Sequence, residues 1–164
     1  MSNNAPDFPT KFRRNWGHYV YQTFLATLSA SLVFVFLKSE GPVIVASLGA
    51  TTFVVFAMPK SRAARARNVV GGHIIGVLCG TVAAIVGSTG TPLDYLVSSG
   101  AVGLSMFLML ATGTQHPPAS GTALSIAAAG RAQDHVAIAV TVVASAVILS
   151  LLRLLLRRHL EDLE

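Results

Sequence analysis

Charge is what this chain has least of. Only 12% of its 164 residues are Asp, Glu, Lys or Arg, against about 25% in a soluble domain. No Asp or Glu lies in the middle of an apolar run, and Asp94 and Asp134 sit at the ends of theirs. Sodium, proton-relay and metal carriers usually place an acid inside the membrane, so a cationic cargo is disfavoured. Cysteine occurs once, as Cys79 within an apolar stretch. That excludes an intrachain disulfide and reads as a buried, inert thiol. There is no acid dyad, no Ser-Lys pair within a span and no HExxH, so enzyme chemistry is not expected.

What is abundant is apolar sequence. Hydrophobic residues make up 52% of the chain and the mean hydropathy is +0.63, which places it in the lipid bilayer. The net charge of +5 does not indicate nucleic acid, because the basic residues sit between apolar runs rather than on one polar face. The run after Lys11, Arg13 and Arg14 is too long for a signal sequence and reads as a retained first span. Trp16, Tyr19 and Tyr21 beside it fit an interfacial aromatic belt.

Six apolar segments follow, at 16–37, 42–58, 69–88, 93–112, 117–130 and 135–156. A crossing helix needs about 20 residues. The first, third, fourth and sixth meet this, and the second and fifth are short or broken. The expectation is an all-α, polytopic membrane protein with four full spans and two short helices. Residues 1–15 and 157–164 form tails around a transmembrane domain at 16–156. Basic clusters lie at Lys11, Arg13 and Arg14, at Lys60, Arg62, Arg65 and Arg67, and at Arg153, Arg157 and Arg158. Six crossings put all three on one side, and the positive-inside rule makes that side cytoplasmic, with both termini there. A re-entrant second segment would split the clusters. Thr91-Pro92-Leu93-Asp94 reads as an N-cap, Asp134 as another, Gly130 as a helix stop and Asn68 as a cap for the third segment.

One polar interruption stands out, Thr114-Gln115-His116-Pro117-Pro118-Ala119. Two prolines remove two backbone donors and fix two φ angles. In lipid such a break must be sheltered by protein or face a cavity, and transporters put substrates there. Pro118-Ala119-Ser120-Gly121-Thr122 loosely repeats Pro42, Ala46-Ser47, Gly49 and Thr51. Each stretch opens the short middle helix of its half, which suggests a 3+3 inverted repeat. The two helix starts would then converge near the midplane and offer unpaired N–H groups to an anion.

The candidate site is Ser47, Gly49, Ala50, Thr51, Thr52, Asn68, His73, Thr114, Gln115, His116, Ser120, Gly121 and Thr122. These are hydroxyls, amides, small residues and two histidines, an inventory suited to a small anion or a neutral polar solute. Ser and Thr also join helices, and a histidine can simply bind a carbonyl. A neutral histidine can donate to an anion or carry a coupled proton. His73 and His116 lack a third ligand, so no metal or other cofactor is expected. Arg67 and Asn68 could attract anions at the mouth. Gly72, Gly76 and Gly80 form overlapping GxxxG steps for intrachain packing or a subunit interface.

Three stretches carry a resemblance: Ser47-Leu48-Gly49-Ala50-Thr51 running to Phe56-Ala57-Met58-Pro59, Arg67-Asn68-Val69-Val70-Gly71-Gly72-His73, and Thr112-Gly113-Thr114-Gln115-His116-Pro117-Pro118-Ala119. The chain resembles the HPP family of integral membrane proteins, whose name is the triplet His116-Pro117-Pro118. Arg65-Ala66 departs from the family's usual Gln-Pro. Some relatives append CBS regulatory domains, which are not expected here. The family is usually given four spans, whereas charge argues for six in this chain. Some plastid and cyanobacterial members are described as nitrite transporters. The resemblance therefore implies transport of a small inorganic anion, nitrite first, by alternating access. The expected setting is a bacterial inner (plasma) membrane, with the protein a homo-oligomer (dimer or trimer). An anion channel and a non-transporting scaffold or sensor subunit are the alternatives.

Overall fold

The computed structural model describes residues 8–36, 42–87, 91–131 and 134–163. Among them are six α-helices and no strand: α1 (Phe8–Phe36), α2 (Pro42–Ala57), α3 (Ala66–Gly87), α4 (Leu93–Thr112), α5 (Pro118–Ala129) and α6 (His135–Leu156). The helix α1 reaches back into the stretch expected to be a tail.

Among the described residues three helices, α3, α4 and α6, are both long and apolar enough to cross a membrane. Four full spans were expected. The fourth expected span, α1, has 29 residues. The short helices are as the sequence suggested. α2 has 16 residues, and α5 has 12, about 18 Å of helix.

Punctuation explains most helix ends. Asp134 Oδ1 accepts from the N–H groups of Val136 and Ala137, the N-cap expected there. Gly113 (φ 67°) closes α4 and Gly130 (φ 70°) closes α5 in the left-handed region, where glycine has no Cβ penalty. Pro92 flanks α4, and the Thr91 carbonyl accepts from Asp94 N–H. One cap expectation is corrected. Asn68 lies inside α3, and its amide donates to the Gln115 carbonyl.

The helices alternate in direction. The end of α2, the 58–65 loop, the start of α3 and the end of α6 share one face. Arg153 donates to the Pro59 carbonyl, Lys60 N–H to Asp162, and Arg67 to the Thr112 carbonyl at the end of α4. The opposite face joins the end of α3 to the region after α5, where Arg131 donates to the Ile85 carbonyl. The loop carrying Lys60, Arg62 and Arg65 therefore lies beside Arg153 and the C-terminal residues, as six crossings require.

The central helix is α3, packed on α4, α5 and α6; α2 packs on α1, α5 and α6, α4 packs on α5, and α1 on α6. The glycine stripe sets the closest of these approaches. A Cβ on Gly80 would lie 2.7 Å from the Ala123 carbonyl oxygen, and one on Gly72 would lie 2.8 Å from His116 Cβ. A Cβ on Gly76 would meet the Ala119 carbonyl oxygen. The stripe thus serves packing of α3 on α5 within the chain. Leu78, Val82 and Val86 on α3 and Leu96, Phe107 and Leu110 on α4 remain exposed, the outward apolar surface of helices that face lipid.

Residues 159–163 fold back as a strap. Gln22, buried on α1, donates to the carbonyls of Phe56 and Glu161 and accepts from Glu161 N–H. Leu163 N–H donates to the Ala57 carbonyl, and Leu160 is buried. Carbonyls at the end of α2 that lack helical partners are satisfied by this strap and by Gln22.

Candidate functional site

The polar break reaches its depth by leaving α4 at Gly113 and running inward along α3. A Cβ on Gly71 would meet Thr114, one on Gly72 would meet His116, and one on Gly76, a turn further on, would meet the Ala119 carbonyl oxygen, so the break and the start of α5 advance along α3. Pro117 then starts α5 inside the bundle with φ −51°, ψ −40°, which suits proline at a first helical turn.

Five buried side chains meet here in one hydrogen-bonded chain. His116 Nδ1 lies 2.9 Å from the Ala63 carbonyl oxygen. His116 Nε2 lies 3.0 Å from Thr51 Oγ1, and His73 Nε2 lies 2.9 Å from the same oxygen. His73 Nδ1 is 2.9 Å from Thr122 Oγ1, which is 2.8 Å from Ser47 Oγ. Ser47 ends the chain by donating to the Pro118 carbonyl at 2.7 Å. Thr51 Oγ1 also lies 3.0 Å from the Ser47 carbonyl, one turn back in α2. His73, His116, Thr51 and Thr122 are fully shielded and Ser47 is 5% exposed. The imidazole centroids are 5.2 Å apart. Four segments contribute: α2, α3, α5 and the break, with the 58–65 loop supplying a carbonyl.

Depth follows from helix geometry. His73 is the eighth residue of α3, about 10 Å in from that helix's start at 1.5 Å per residue. The chain therefore sits about a third of the way through a 22-residue helix, nearer the basic face than the expected midplane.

Between the chain and that face is a cavity of about 270 Å³ lined by Arg62, Arg65, Arg67, Asn68, Gly113 and Gln115. The three arginines are exposed and Asn68 is buried. Asn68 holds the Gln115 carbonyl at 3.1 Å, and Arg67 Nη2 holds the Thr112 carbonyl at 2.9 Å. Gln115 lines this basic cavity, and the next residue, His116, enters the buried chain.

The expected residues separate into three groups. Ser47, Thr51, His73, His116 and Thr122 form the chain, with Gly121 against Ser47. Asn68 and Gln115 line the mouth cavity. The rest look elsewhere. Thr52 donates to the Leu48 carbonyl in its own helix. Thr114 pairs with Thr112, Ser120 accepts from Ser105 on α4, and Ala50 is exposed. Gly49 has open space where a Cβ would go. Gly49, Ala50 and Thr52 belong to the small-residue stretch of α2 but fall on other faces of that helix.

The expected presentation of free helix N–H groups is corrected. Pro117 and Pro118 have no N–H to offer. The next two are engaged locally, Ala119 N–H by the His116 carbonyl and Ser120 N–H by the Pro117 carbonyl. The start of α5 also meets α2 at Ser47, more than a turn past Pro42, so the two helix starts overlap sideways rather than converge. Polar capacity at this site therefore comes from side chains.

Sequence reasoning missed the carbonyls of Ala63 and Pro118, which carry no side-chain signal. It read Arg62 and Arg65 as topological only, although their spacing around the loop turns them toward Asn68 and Gln115. Among the described residues no group of three His, Cys, Asp or Glu is placed to hold a metal ion.

Comparison with known proteins adds a family-level finding. The family profile described as HPP, transmembrane region, matches residues 10–162. A transmembrane protein of Dictyostelium discoideum is 32% identical over 109 residues, covering 62% of this chain and 38% of that protein. The chain thus spans well under half the length of this curated relative. No solved structure matches.

Proposed function

The chain belongs to the HPP transmembrane family, and from that premise we propose that it is a membrane transporter of a small inorganic anion, with nitrite the first candidate. One observation carries the reading. A cavity lined by three arginines is joined, through the adjacent residues Gln115 and His116, to a buried chain of hydroxyls and imidazoles that contains no acid. The arginines draw an anion to the mouth, and Asn68 and Gln115 flank its entry. Ser47, Thr51, His73, His116 and Thr122 offer hydrogen bonds deeper in, where charge is otherwise costly.

Alternating access fits the helix neighbours. Exchanging α1, α2 and α3 with α4, α5 and α6 turns the pair α1–α2 into α4–α5. It likewise turns α3–α4 into α6–α1 and α3–α5 into α6–α2, and leaves α2–α5 and α3–α6 in place. Those are the principal neighbour pairs of the fold, which supports a 3+3 inverted design of the kind transporters use. The proposed setting is a bacterial inner membrane, with the basic face cytoplasmic and the protein a homo-oligomer.

Nitrite uptake into proteoliposomes holding the full chain is the test. Saturable uptake above protein-free liposomes is expected, with a loss of at least about tenfold in His116→Ala if one essential charge-assisted bond is removed (about 1.4 kcal/mol). Uptake unchanged by His116→Ala would remove His116 from the path. No uptake of nitrite, nitrate or another small oxyanion would overturn the class. Non-saturating flux with single-channel conductance would assign a channel instead.

A further inference from the structure

The buried chain holds fewer hydrogens than its geometry calls for. Seven links join its members to one another and to the carbonyls of Ala63, Ser47 and Pro118. Each hydroxyl carries one hydrogen and each neutral imidazole carries one. Three hydroxyls and two neutral rings therefore supply five hydrogens for seven links. The three carbonyls are acceptors only, so no hydrogen comes from the ends.

Following the hydrogens locates the shortage. The Ala63 carbonyl requires a hydrogen on His116 Nδ1. In a neutral ring His116 Nε2 is then bare and takes the Thr51 hydrogen. Thr51 has none left for the Ser47 carbonyl, so His73 must donate through Nε2. His73 Nδ1 is then bare and takes the Thr122 hydrogen. Ser47 is left with one hydrogen for two partners, Thr122 and the Pro118 carbonyl. The neutral chain is thus polarised in one direction and faulted at Thr51 and at Ser47.

A single added proton repairs either fault. On His73 Nδ1 it donates to Thr122, which turns to Ser47, which turns to the Pro118 carbonyl. On His116 Nε2 it donates to Thr51, which turns to the Ser47 carbonyl. Thr51 also connects the two positions. His73 gives its Nε2 hydrogen to the Thr51 oxygen while Thr51 gives its own to His116 Nε2, so one N–H and one O–H bond break and one of each forms. A second proton would place two cations with ring centroids 5.2 Å apart, which limits the load to one.

That proton needs a countercharge. The groups facing the rings are Ser47 and Thr51 from α2, Thr122 from α5, and the Ala63 carbonyl from the loop. The part of α4 nearest this region presents Met109, beside Gly72. The nearby charges are Arg62, Arg65 and Arg67 around the mouth and Arg153 on α6, bound to the Pro59 carbonyl. All are positive. Of the described acids, Asp94 and Asp134 lie at the far ends of α4 and α6 and Glu161 lies on the strap, while Asp162 accepts from Lys60 N–H on the loop that carries Ala63 but is not bonded to either ring. Among the described residues no acid is bonded to the rings, so an anion arriving through the mouth would bring the countercharge to them.

We infer that Ser47, Thr122, His73, Thr51 and His116 form a binding site for one shared proton, taken up together with the anion, so that transport is a proton–anion symport. This rests on the transport reading for its direction, but proton binding is measurable without transport. By linkage, an anion that favours the protonated chain is itself bound more tightly when the chain is protonated.

The experiment uses the full chain with ¹⁵N-labelled histidine in lipid nanodiscs. His18, His135 and His159 are replaced by Gln so that only His73 and His116 report. Without nitrite at neutral pH, the expected tautomers are Nδ1–H for His116 and Nε2–H for His73. Adding sodium nitrite is expected to convert one ring equivalent to imidazolium, with nitrite affinity rising up to about tenfold per unit fall in pH for one linked proton. Thr51→Ser keeps this response and Thr51→Val loses it; loss in both or in neither removes the Thr51 hydroxyl from the linkage. Rings that stay neutral at every nitrite concentration down to mildly acidic pH overturn the proposal, even where uptake is present. Rings that protonate with nitrite support it even where uptake is absent, and that result sinks the transport reading alone.

Discussion

At the scale of single residues, the site divides into charges that attract and hydroxyls that hold. Arg65 is exposed on the wall of the mouth cavity, so its contribution is long-range and screened by salt. Arg65→Gln is expected to raise the half-saturating nitrite concentration a few-fold with little change in maximal uptake, and the difference should shrink at high ionic strength. Kinetics at two salt concentrations check this. The residues of the buried chain were legible in the sequence because histidine, serine and threonine are conspicuous in so apolar a chain. Which of the hydroxyls would be used was not. Ser47 and Thr51 lie four residues apart, on one face of α2, and both reach the chain. Thr52, one position on, points about 100° round the helix and bonds its own backbone. A composition of small polar residues does not contain that angle until α5 is placed.

At the scale of elements, the contact of α3 with α5 holds the site together, since His73 rides on one and Thr122 on the other. Gly76 sits where its missing side chain would strike the Ala119 carbonyl. Gly76→Ala should cost about 1–3 kcal/mol through overpacking, seen as a lower melting temperature in detergent. Gly49→Ala, with nothing within 4 Å of the added carbon, should stay within about 0.5 kcal/mol of the parent. Equal losses from both would mean the stripe is not what sets this packing. The six segments themselves were readable from apolar runs and from Gly130 and Asp134, because those signals are local. The partner of the GxxxG stripe was not, because the same small residues suit a neighbour within the chain or in another copy. The start of α5 also departed from expectation for a local reason. Two prolines and a tight first turn leave no amide hydrogen to spare.

At the scale of the whole molecule, charge told the sequence reader how many crossings to count, and the fold places Lys60, Arg62 and Arg65 next to Arg153 and Asp162. Cys79 is buried, so single engineered cysteines report cleanly. A cysteine at Arg62 is expected to react only with reagent reaching the cytoplasmic face, and one at Tyr95 only from the other side. Labelling of both from one side would refute six alternating crossings. The strap was not foreseeable, since its hydrogen bonds join residues more than a hundred positions apart and run largely through backbone atoms. Gln22→Ala removes two of them, together with the bond to the Phe56 carbonyl, and is expected to cost about 1–3 kcal/mol. Limited proteolysis should then cut residues 157–163 well before the helices.

The strap also has a bearing on how the protein is made. Phe56 and Ala57 end α2, yet the Leu163 amide that one of their carbonyls receives comes after all six helices in the chain. During synthesis α2 must wait in the bilayer with that end open until the last helix has left the ribosome. A tag or fusion joined directly after Glu164 would therefore compete with the closing step of assembly, and a spacer should be judged by yield of folded protein rather than by activity.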